Sequence, residues 1–92
     1  MKTITHTHNV TCDGVAIYKY HPNIGEGLPR HEHTYAHLTI CCAGKLAVRK
    51  EGLEIFLTKD SQPVNLVANE WHELEAVEDG TVFLNVFSEG KY

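Results

Sequence analysis

The sequence predicts an all-β domain of the β-sandwich or β-barrel class. About eight short segments rich in β-branched and aromatic residues follow one another, separated by turn signals every eight to twelve residues. Apolar residues recur nowhere at helical spacing for long enough to predict a helix. No internal repeat, low-complexity segment or shift in composition marks a second domain, so we expect one domain over residues 1–92.

Composition and charge narrow the classes of partner. A chain of 92 residues buries only about two-thirds of the surface that its unfolded form exposes, so its core is modest and a second subunit or a bound metal would add stability. Hydrophobic residues make up 42%, which predicts a folded globule. Eight Lys and Arg are scattered among twelve Asp and Glu, giving a net charge of -4, and such a surface does not attract nucleic acid.

The cysteines and the first residues indicate a reducing compartment. Cys12, Cys41 and Cys42 are odd in number, so no disulfide framework is expected, and the adjacent Cys41 and Cys42 are predicted as small core residues. Residues 1–8 lack the apolar stretch of a signal peptide, and no segment approaches membrane-spanning length. We therefore expect a cytoplasmic protein without a membrane partner.

The first third of the chain is predicted as two strands and a long loop. Residues 2–10 alternate weakly, which favours an edge strand. Asp13 and Gly14 mark a turn before a strand at 15–20 that is rich in aromatic and β-branched residues. Residues 21–30 contain two prolines and two glycines and are predicted as a loop.

Six further strands are predicted after this loop, separated by turns and polar segments. Turn signals lie around Gly44, Gly52 and Gly80, with a polar loop at 59–63 and a bend at 68–70. The six strands are 38–43, 46–50, 53–58, 64–67, 71–77 and 81–87.

Three of the seven histidines fall within seven residues, in a run that is predicted to begin a strand. They are His31, His33 and His37, at spacings of two and four. Alternate side chains on an extended chain share a face, roughly 6.5 Å apart, so these imidazoles can converge on one ion. Neutral imidazole binds Zn, Cu, Fe and Ni. The run is interpreted as a set of metal ligands; the simpler alternative is a group of surface imidazoles on an edge strand.

A fourth histidine is predicted to face the core much later in the chain. Period-two alternation puts His72 on one face with Leu74 and Ala76, while Glu73 and Glu75 share the other face and should meet water. A buried histidine here is either hydrogen-bonded to a core partner or a ligand. The earlier pair His6 and His8 has no third ligand or turn beside it and is predicted to lie on an exposed strand.

The spacing of these residues resembles the two motifs of the cupin family. The first motif corresponds to Gly25, His31, His33, a fourth ligand at 37, and Gly44; the second corresponds to Ala68-Asn69-Glu70-Trp71-His72. His37 replaces the usual glutamate of the first motif, and Asn69 replaces the usual glycine of the second. Asn tolerates a positive φ better than most residues, so a turn at Asn69 is retained.

The resemblance spans about residues 15–88 and is to small single-domain, RmlC-like cupins with four histidine ligands. It implies a double-stranded β-helix, or jelly-roll barrel, with a core at about 15–88. It also implies a metal site at His31, His33, His37 and His72 in the mouth of the barrel. Such cupins often pair through sheet edges, so a homodimer is expected.

The ligand set predicts the class of chemistry. Four neutral imidazoles leave a divalent ion its full charge, which favours an anionic substrate. An octahedral ion keeps two open positions, whereas tetrahedral zinc would be filled, so iron, manganese, nickel or copper is favoured over zinc. We expect a metal-dependent, dioxygenase-like oxidoreductase acting on a small organic acid or diol. The alternatives are a Lewis-acid isomerase, a non-catalytic module that binds a metal or small ligand, and a structural barrel that acts through its dimer face.

Two further residues are candidates to touch a small-molecule substrate. Tyr35 lies between His33 and His37, and His21 lies in the loop that leads to the site. The simpler alternatives are a packing role for Tyr35 and a surface position for His21. Asn85 shares a strand face with two phenylalanines, and if that face is buried its amide needs a hydrogen-bond partner.

Overall fold

Two five-stranded β-sheets face each other in the computed structural model, which describes residues 1–90. The strand order is β1-β4-β9-β6-β7 in the first sheet and β2-β3-β10-β5-β8 in the second. All neighbouring pairs are antiparallel except β1 and β4. The strands are β1 Lys2–Thr3, β2 His8–Cys12, β3 Val15–Tyr20, β4 Glu26–His31, β5 His37–Ala43, β6 Leu46–Lys50, β7 Leu53–Leu57, β8 Val64–Leu66, β9 His72–Ala76 and β10 Val82–Ser88. The predicted jelly-roll barrel is confirmed.

The core lies between the two sheets and follows the period-two alternation. In the first sheet Val48 pairs with Leu74, and both are fully buried. In the second sheet Phe83 of β10 stacks on Tyr20 of β3, with ring centroids 4.6 Å apart and planes 10° apart. Alternate residues of each strand therefore fill the barrel, and the same alternation decides which polar side chains point into it.

The prediction that residues 21–30 form a loop is correct for 21–25 and wrong for 26–30, because Glu26–His31 is strand β4. Pro29 is tolerated there because the register with β9 shifts between Leu28 and His31, where no regular ladder hydrogen bond is needed. Gly27 belongs to the strand for a steric reason: a Cβ at this position would lie 1.9 Å from the carbonyl oxygen of Leu74. The glycine and the proline thus permit close strand pairing here instead of breaking it.

Three other local predictions need correction. Residues 2–10 contribute two strands, β1 and β2, one to an edge of each sheet, so the described chain has ten strands instead of about eight. The histidine run does not begin a strand: β4 ends at His31, residues 32–36 form a connection, and β5 begins at His37. Cys42 is exposed, since β5 turns Cys41 into the core and its neighbour outward.

Three residues of the predicted motifs, Gly25, Gly44 and Asn69, have a positive φ. Gly44 has φ +69°, and a Cβ there would lie 2.4 Å from the hydroxyl oxygen of Thr81. Asn69 has φ +65°, which confirms the turn expected at that residue.

Within residues 1–90 there is no helix long and apolar enough to cross a membrane.

Candidate metal centre

Strand ends from both sheets bring the four predicted histidines to one end of the barrel. His31 is the last residue of β4 and His72 is the first residue of β9, and the two are direct cross-strand partners. His37 is the first residue of β5 in the opposite sheet, and His33 lies in the connection between β4 and β5. His37 and His72 are buried, whereas His31 and His33 are partly exposed.

Three of these histidines form a tight group. The ring nitrogens of His31, His33 and His72 that face one another all lie within 4.8 Å, which is close enough for one metal ion to draw them together. Their ring centroids are 4.4 to 5.3 Å apart. The ring of His37 lies 5.0 Å from that of His33 and 5.3 Å from that of His72, but His37 is not a member of the tight group. The four-histidine ligand set remains a prediction.

A backbone hydrogen bond joins the two predicted motifs. The backbone N–H of Asn69 donates to the carbonyl oxygen of His33 over 2.8 Å. The positive φ of Asn69 shapes the turn that carries this N–H. The turn before β9 therefore positions the connection that holds His33, which lies far away in the sequence.

Hydrogen bonds to carbonyl oxygens fix the tautomer of three histidines. Nδ1 of His31 donates to the carbonyl oxygen of Pro29 over 2.7 Å, Nδ1 of His33 to that of Tyr35 over 2.9 Å, and Nδ1 of His72 to that of Glu70 over 3.3 Å. A carbonyl oxygen only accepts, so the neutral rings carry their proton on Nδ1 and a lone pair on Nε2.

The lone pairs on two of these rings have no hydrogen-bond partner among residues 1–90. Nε2 of His33 and Nε2 of His72 are buried and make no hydrogen bond among the described residues. Buried polar nitrogens without a partner are costly and rare. Their position beside His31 fits a bound metal ion, because imidazole nitrogen is a common ligand for the ions of the first transition series.

The tautomer of His37 is fixed through two further side chains. The Thr39 hydroxyl donates to Oδ1 of Asn85 over 2.7 Å, so its only proton is engaged. The same hydroxyl oxygen lies 3.4 Å from Nδ1 of His37 and acts there as an acceptor. His37 therefore also carries its proton on Nδ1 and a lone pair on Nε2. The partner expected for the buried Asn85 amide is Thr39.

Burial favours the uncharged form of three of these rings, those of His33, His37 and His72. The pKa of His72 is lowered to about 4, first by burial and then by the neighbouring His31, His37 and His33. Burial and the nearby His33 likewise lower the pKa of His37 to about 4. The pKa of His33 is also lowered, chiefly by burial. Unprotonated imidazole is the form that binds metal, so protons compete weakly for this cluster at pH 7.

The two candidate substrate residues have different surroundings. The ring of Tyr35 stacks on that of His33, with centroids 4.2 Å apart and planes 8° apart, so Tyr35 borders the cluster. His21 is exposed, and its Nδ1 lies 2.6 Å from the hydroxyl of Thr7. Its ring neighbour is His8, at 5.7 Å between centroids, so the recorded contacts of His21 are with the first strands.

Sequence reasoning named the histidines but missed the side chain that orients one of them. Thr39 lies two residues after His37 and therefore on the same inward face of β5. The sequence signal for Thr39 is a hydroxyl residue on the inward face of the strand, and the structure places it fully buried, opposite Asn85 on β10.

A cleft of about 380 Å³ lies beside the cluster. It is lined by His31, Arg30, Glu32 and Trp71.

No protein-family model matches the chain, and no curated protein matches it by sequence. Solved structures match its fold. KdgF from Halomonas sp. superposes with a TM-score of 0.77 at 16% identity, over 86% of this chain and 73% of that one. A cupin-2 domain containing protein from Shewanella frigidimarina gives 0.75 at 12% identity, over 94% and 84% of the two chains. An oxalate decarboxylase of Bacillus subtilis gives 0.77 at 20% identity, over 91% of this chain and 25% of that one.

The chain therefore has the cupin fold, with a histidine cluster at one end of its barrel. His31, His33 and His72 are placed to hold a metal ion. At these identities the similarity establishes the fold, and the chemistry has to be argued from the residues of this chain.

The lowered pKa values predict that the metal-free protein loses stability in mild acid. Above pH 6.5 His37 and His72 are neutral in both the folded and the unfolded state, so their contribution to stability is constant. Below it they protonate in the unfolded chain, whereas His37 and His72 stay neutral in the fold down to about pH 4. The free energy of unfolding should then fall by about 1.4 kcal/mol per pH unit for each such histidine.

Urea unfolding of metal-free protein at pH 7.5, 6.5 and 5.5 measures this loss. The His72→Gln variant should show a shallower decline between pH 6.5 and 5.5 than the wild type. Equal stability at pH 7.5 and 5.5 would contradict the buried neutral state of these rings.

The Thr39 hydroxyl is predicted to strengthen metal binding through His37. Thr39→Val keeps the size of the side chain but removes both the acceptor for His37 and the donor to Asn85. Loss of such a supporting hydrogen bond should weaken metal affinity about 10- to 100-fold, measured by competition with a chromophoric chelator. Thr39→Ser, which keeps the hydroxyl, is the control and should bind within a few-fold of wild type. Wild-type affinity in Thr39→Val would show that this hydrogen bond does not matter.

Proposed function

We propose that this protein is a metal-dependent oxidoreductase of the cupin class that acts on a small organic acid or diol. The observation that carries the proposal is the cluster of imidazoles in which Nε2 of His33 and Nε2 of His72 are buried without a hydrogen-bond partner among residues 1–90. His31, His33 and His72 would hold the ion, with His37 as the fourth ligand. The bound ion would supply binding and activation of dioxygen beside the substrate.

The charge of the ligands bears on the substrate, and their number bears on the choice of metal ion. Imidazoles held neutral by burial bring no negative charge, so a divalent ion would keep its full charge and attract an anionic substrate. Four protein ligands would leave two positions on iron, manganese, nickel or copper, but none on tetrahedral zinc. We therefore propose that the cofactor is one of these four ions.

The residues around the cluster have roles in this proposal that do not depend on which ion is bound. Tyr35 stacks on His33 and would border the substrate. Thr39 and Asn85 would keep His37 in the ligating tautomer. The similarity in fold to an oxalate decarboxylase, whose name states an organic acid as substrate, agrees with the acid as the substrate class.

A non-catalytic module that binds a metal or small ligand is the second candidate function. It is favoured by the hydrogen bonds of the four histidine rings, none of which, among residues 1–90, involves the side chain of an Asp, Glu or Lys. These hydrogen bonds engage no side-chain acid or base. In this alternative the ion would stabilise a small barrel by mass action.

Replacing single histidines tests the site. His33→Ala and His72→Ala should each remove most of the bound metal, since each removes a ligand nitrogen. His6→Ala and His8→Ala change the same residue type on the first strands and should keep about one ion per chain. Metal content of untagged protein, measured by inductively coupled plasma mass spectrometry, gives the readout. Metal lost from the His6 or His8 variant and retained by His72→Ala would place the site elsewhere.

Oxygen consumption separates the enzyme from the binding module. Untagged protein carrying iron, manganese, nickel or copper is tested with a panel of keto acids and diols. Substrate-dependent oxygen uptake that disappears in His72→Ala supports the oxidoreductase. Stoichiometric metal without turnover on any member of the panel would favour the module.

A homodimer is proposed on a separate observation. One row of apolar residues crosses the outer face of the second sheet, formed by the cross-strand partners Val10, Ile17, Val86 and Leu38. Val10 and Leu38, at the ends of the row, are 58% and 40% exposed. A second copy of the chain, packed sheet to sheet across this row, would bury it.

The three free cysteines agree with the proposed reducing, cytoplasmic location.

Sedimentation velocity tests the dimer. Val10→Lys places a charge in the apolar row and should shift wild-type dimer to monomer. Phe56→Lys, at an equally exposed apolar position on the other sheet, is the control and should leave the dimer intact. A wild-type monomer at micromolar concentration would overturn the proposal.

A further inference from the structure

A lysine lies in the same layer of the barrel as the histidine cluster. On β9, His72 pairs with His31 of β4 on one side and with Lys50 of β6 on the other. Directly opposite residues of antiparallel strands point to the same face of the sheet. The next pair below, Val48 and Leu74, is fully buried, which shows that this face is the inner one. The side chain of Lys50 therefore starts beside His72, on the inner face at the mouth of the barrel.

The positive charge of Lys50 is weakly matched inside the protein. Its side chain is only 23% exposed, and its nearest recorded carboxylate, Oε1 of Glu70, lies 3.9 Å away on a side chain that is 51% exposed. At that distance the ammonium makes no hydrogen bond, although it has three protons to donate. Among residues 1–90 no hydrogen bond from this ammonium is recorded.

The neighbouring residue, Arg49, shows that the carboxylates of β7 and β9 lie on the outer face of this sheet. Arg49 points outward, where Nη1 donates to Glu73 over 2.9 Å and to Glu75 over 2.7 Å, and Nε donates to Glu54. Three carboxylates thus surround one outward guanidinium. The adjacent Lys50 points inward and has a single carboxylate near it, that of Glu70, at 3.9 Å.

No acidic residue occupies the inward strand positions around the cluster, which are His31, His72 and Lys50 in the first sheet and His37, Thr39, Leu66 and Asn85 in the second. Glu32 and Glu70 lie in the connections at its mouth. With a divalent ion on neutral imidazoles and a lysine beside them, this layer would hold three positive charges. Charges removed from water need partners of opposite sign, and the exposed Glu70 at 3.9 Å is a weak one, so an anion from solution would be favoured here.

We propose that Lys50 binds a carboxylate of the small-molecule ligand that enters the histidine cluster, and that the ligand class is therefore organic acids and not diols. This inference rests on the proposed function, because it places the rest of the ligand at the metal. Lys50 acts as a point charge on a flexible stem and exchanges its distant contact with Glu70 for the carboxylate.

Lys50→Met tests the inference, because methionine keeps the apolar stem and removes the charge. The probes are pyruvate and pyruvamide, which have nearly the same shape but differ in charge. Titration calorimetry on metal-loaded protein should show pyruvate affinity about 10- to 100-fold lower in Lys50→Met, with pyruvamide affinity changed less than about twofold. The metal affinity of Lys50→Met should equal or exceed that of wild type, since a neighbouring positive charge has been removed. A variant whose site had merely collapsed would lose affinity for both probes, pyruvate and pyruvamide.

Lys19→Met provides the matched control, since Lys19 lies on the outer face of the second sheet beside Leu84 and His8. It should bind pyruvate as wild type does. Equal pyruvate affinity in Lys50→Met and wild type, or no binding of pyruvate by metal-loaded wild type, would overturn the inference. If wild type holds no metal, the proposed function fails, but the inference about Lys50 can still be tested. Metal-free wild type should then bind pyruvate weakly, and Lys50→Met should bind it more weakly still. If metal-free wild type does not bind pyruvate, the inference is overturned as well.

Discussion

The site depends on four imidazole rings that are held in one tautomer at the end of a small barrel. Each ring has its Nδ1 beside a fixed oxygen, a backbone carbonyl for His31, His33 and His72 and the Thr39 hydroxyl for His37. Every Nε2 is thereby left with a lone pair, and two of these nitrogens are buried without a hydrogen-bond partner in the part of the chain that the structure describes. A fold that retains such an arrangement carries an unfavourable term that a bound ion removes.

The barrel architecture explains how residues 41 positions apart meet. His31 and His72 end and begin neighbouring strands, so their pairing follows directly from the register of β4 and β9. His33 depends on a different contact, the backbone hydrogen bond from Asn69. The turn at Asn69 is therefore coupled to the opposite motif, and its positive φ positions the site as well as shaping the turn. His31 and His72 come from the first sheet and His37 from the second, so the four rings come together only when the barrel is closed.

The sequence predicted the parts of the site that alternation controls. It placed His72 inward with Leu74 and identified Asn85 as a buried amide that needs a partner, because a period of two assigns each strand residue to a face. The prediction of secondary structure failed where close packing of strands outweighs the local amino-acid composition. The glycine and proline between residues 26 and 31 looked like loop residues, yet Gly27 is required by the approach of β9 and Pro29 falls at a register shift. Such contacts between strands distant in sequence have no local signal. The same holds for Lys50, whose position beside His72 follows only from the pairing of β6 with β9.

A crystal structure of metal-loaded protein, with anomalous data collected at the edge of the bound ion, tests the central claim most directly. We expect one anomalous peak per chain, about 2.1 Å from Nε2 of His31, His33 and His72, with His37 turned toward it as the fourth ligand. A peak at the exposed histidines of the first strands, or a His72 ring directed away from the other three, would contradict the account.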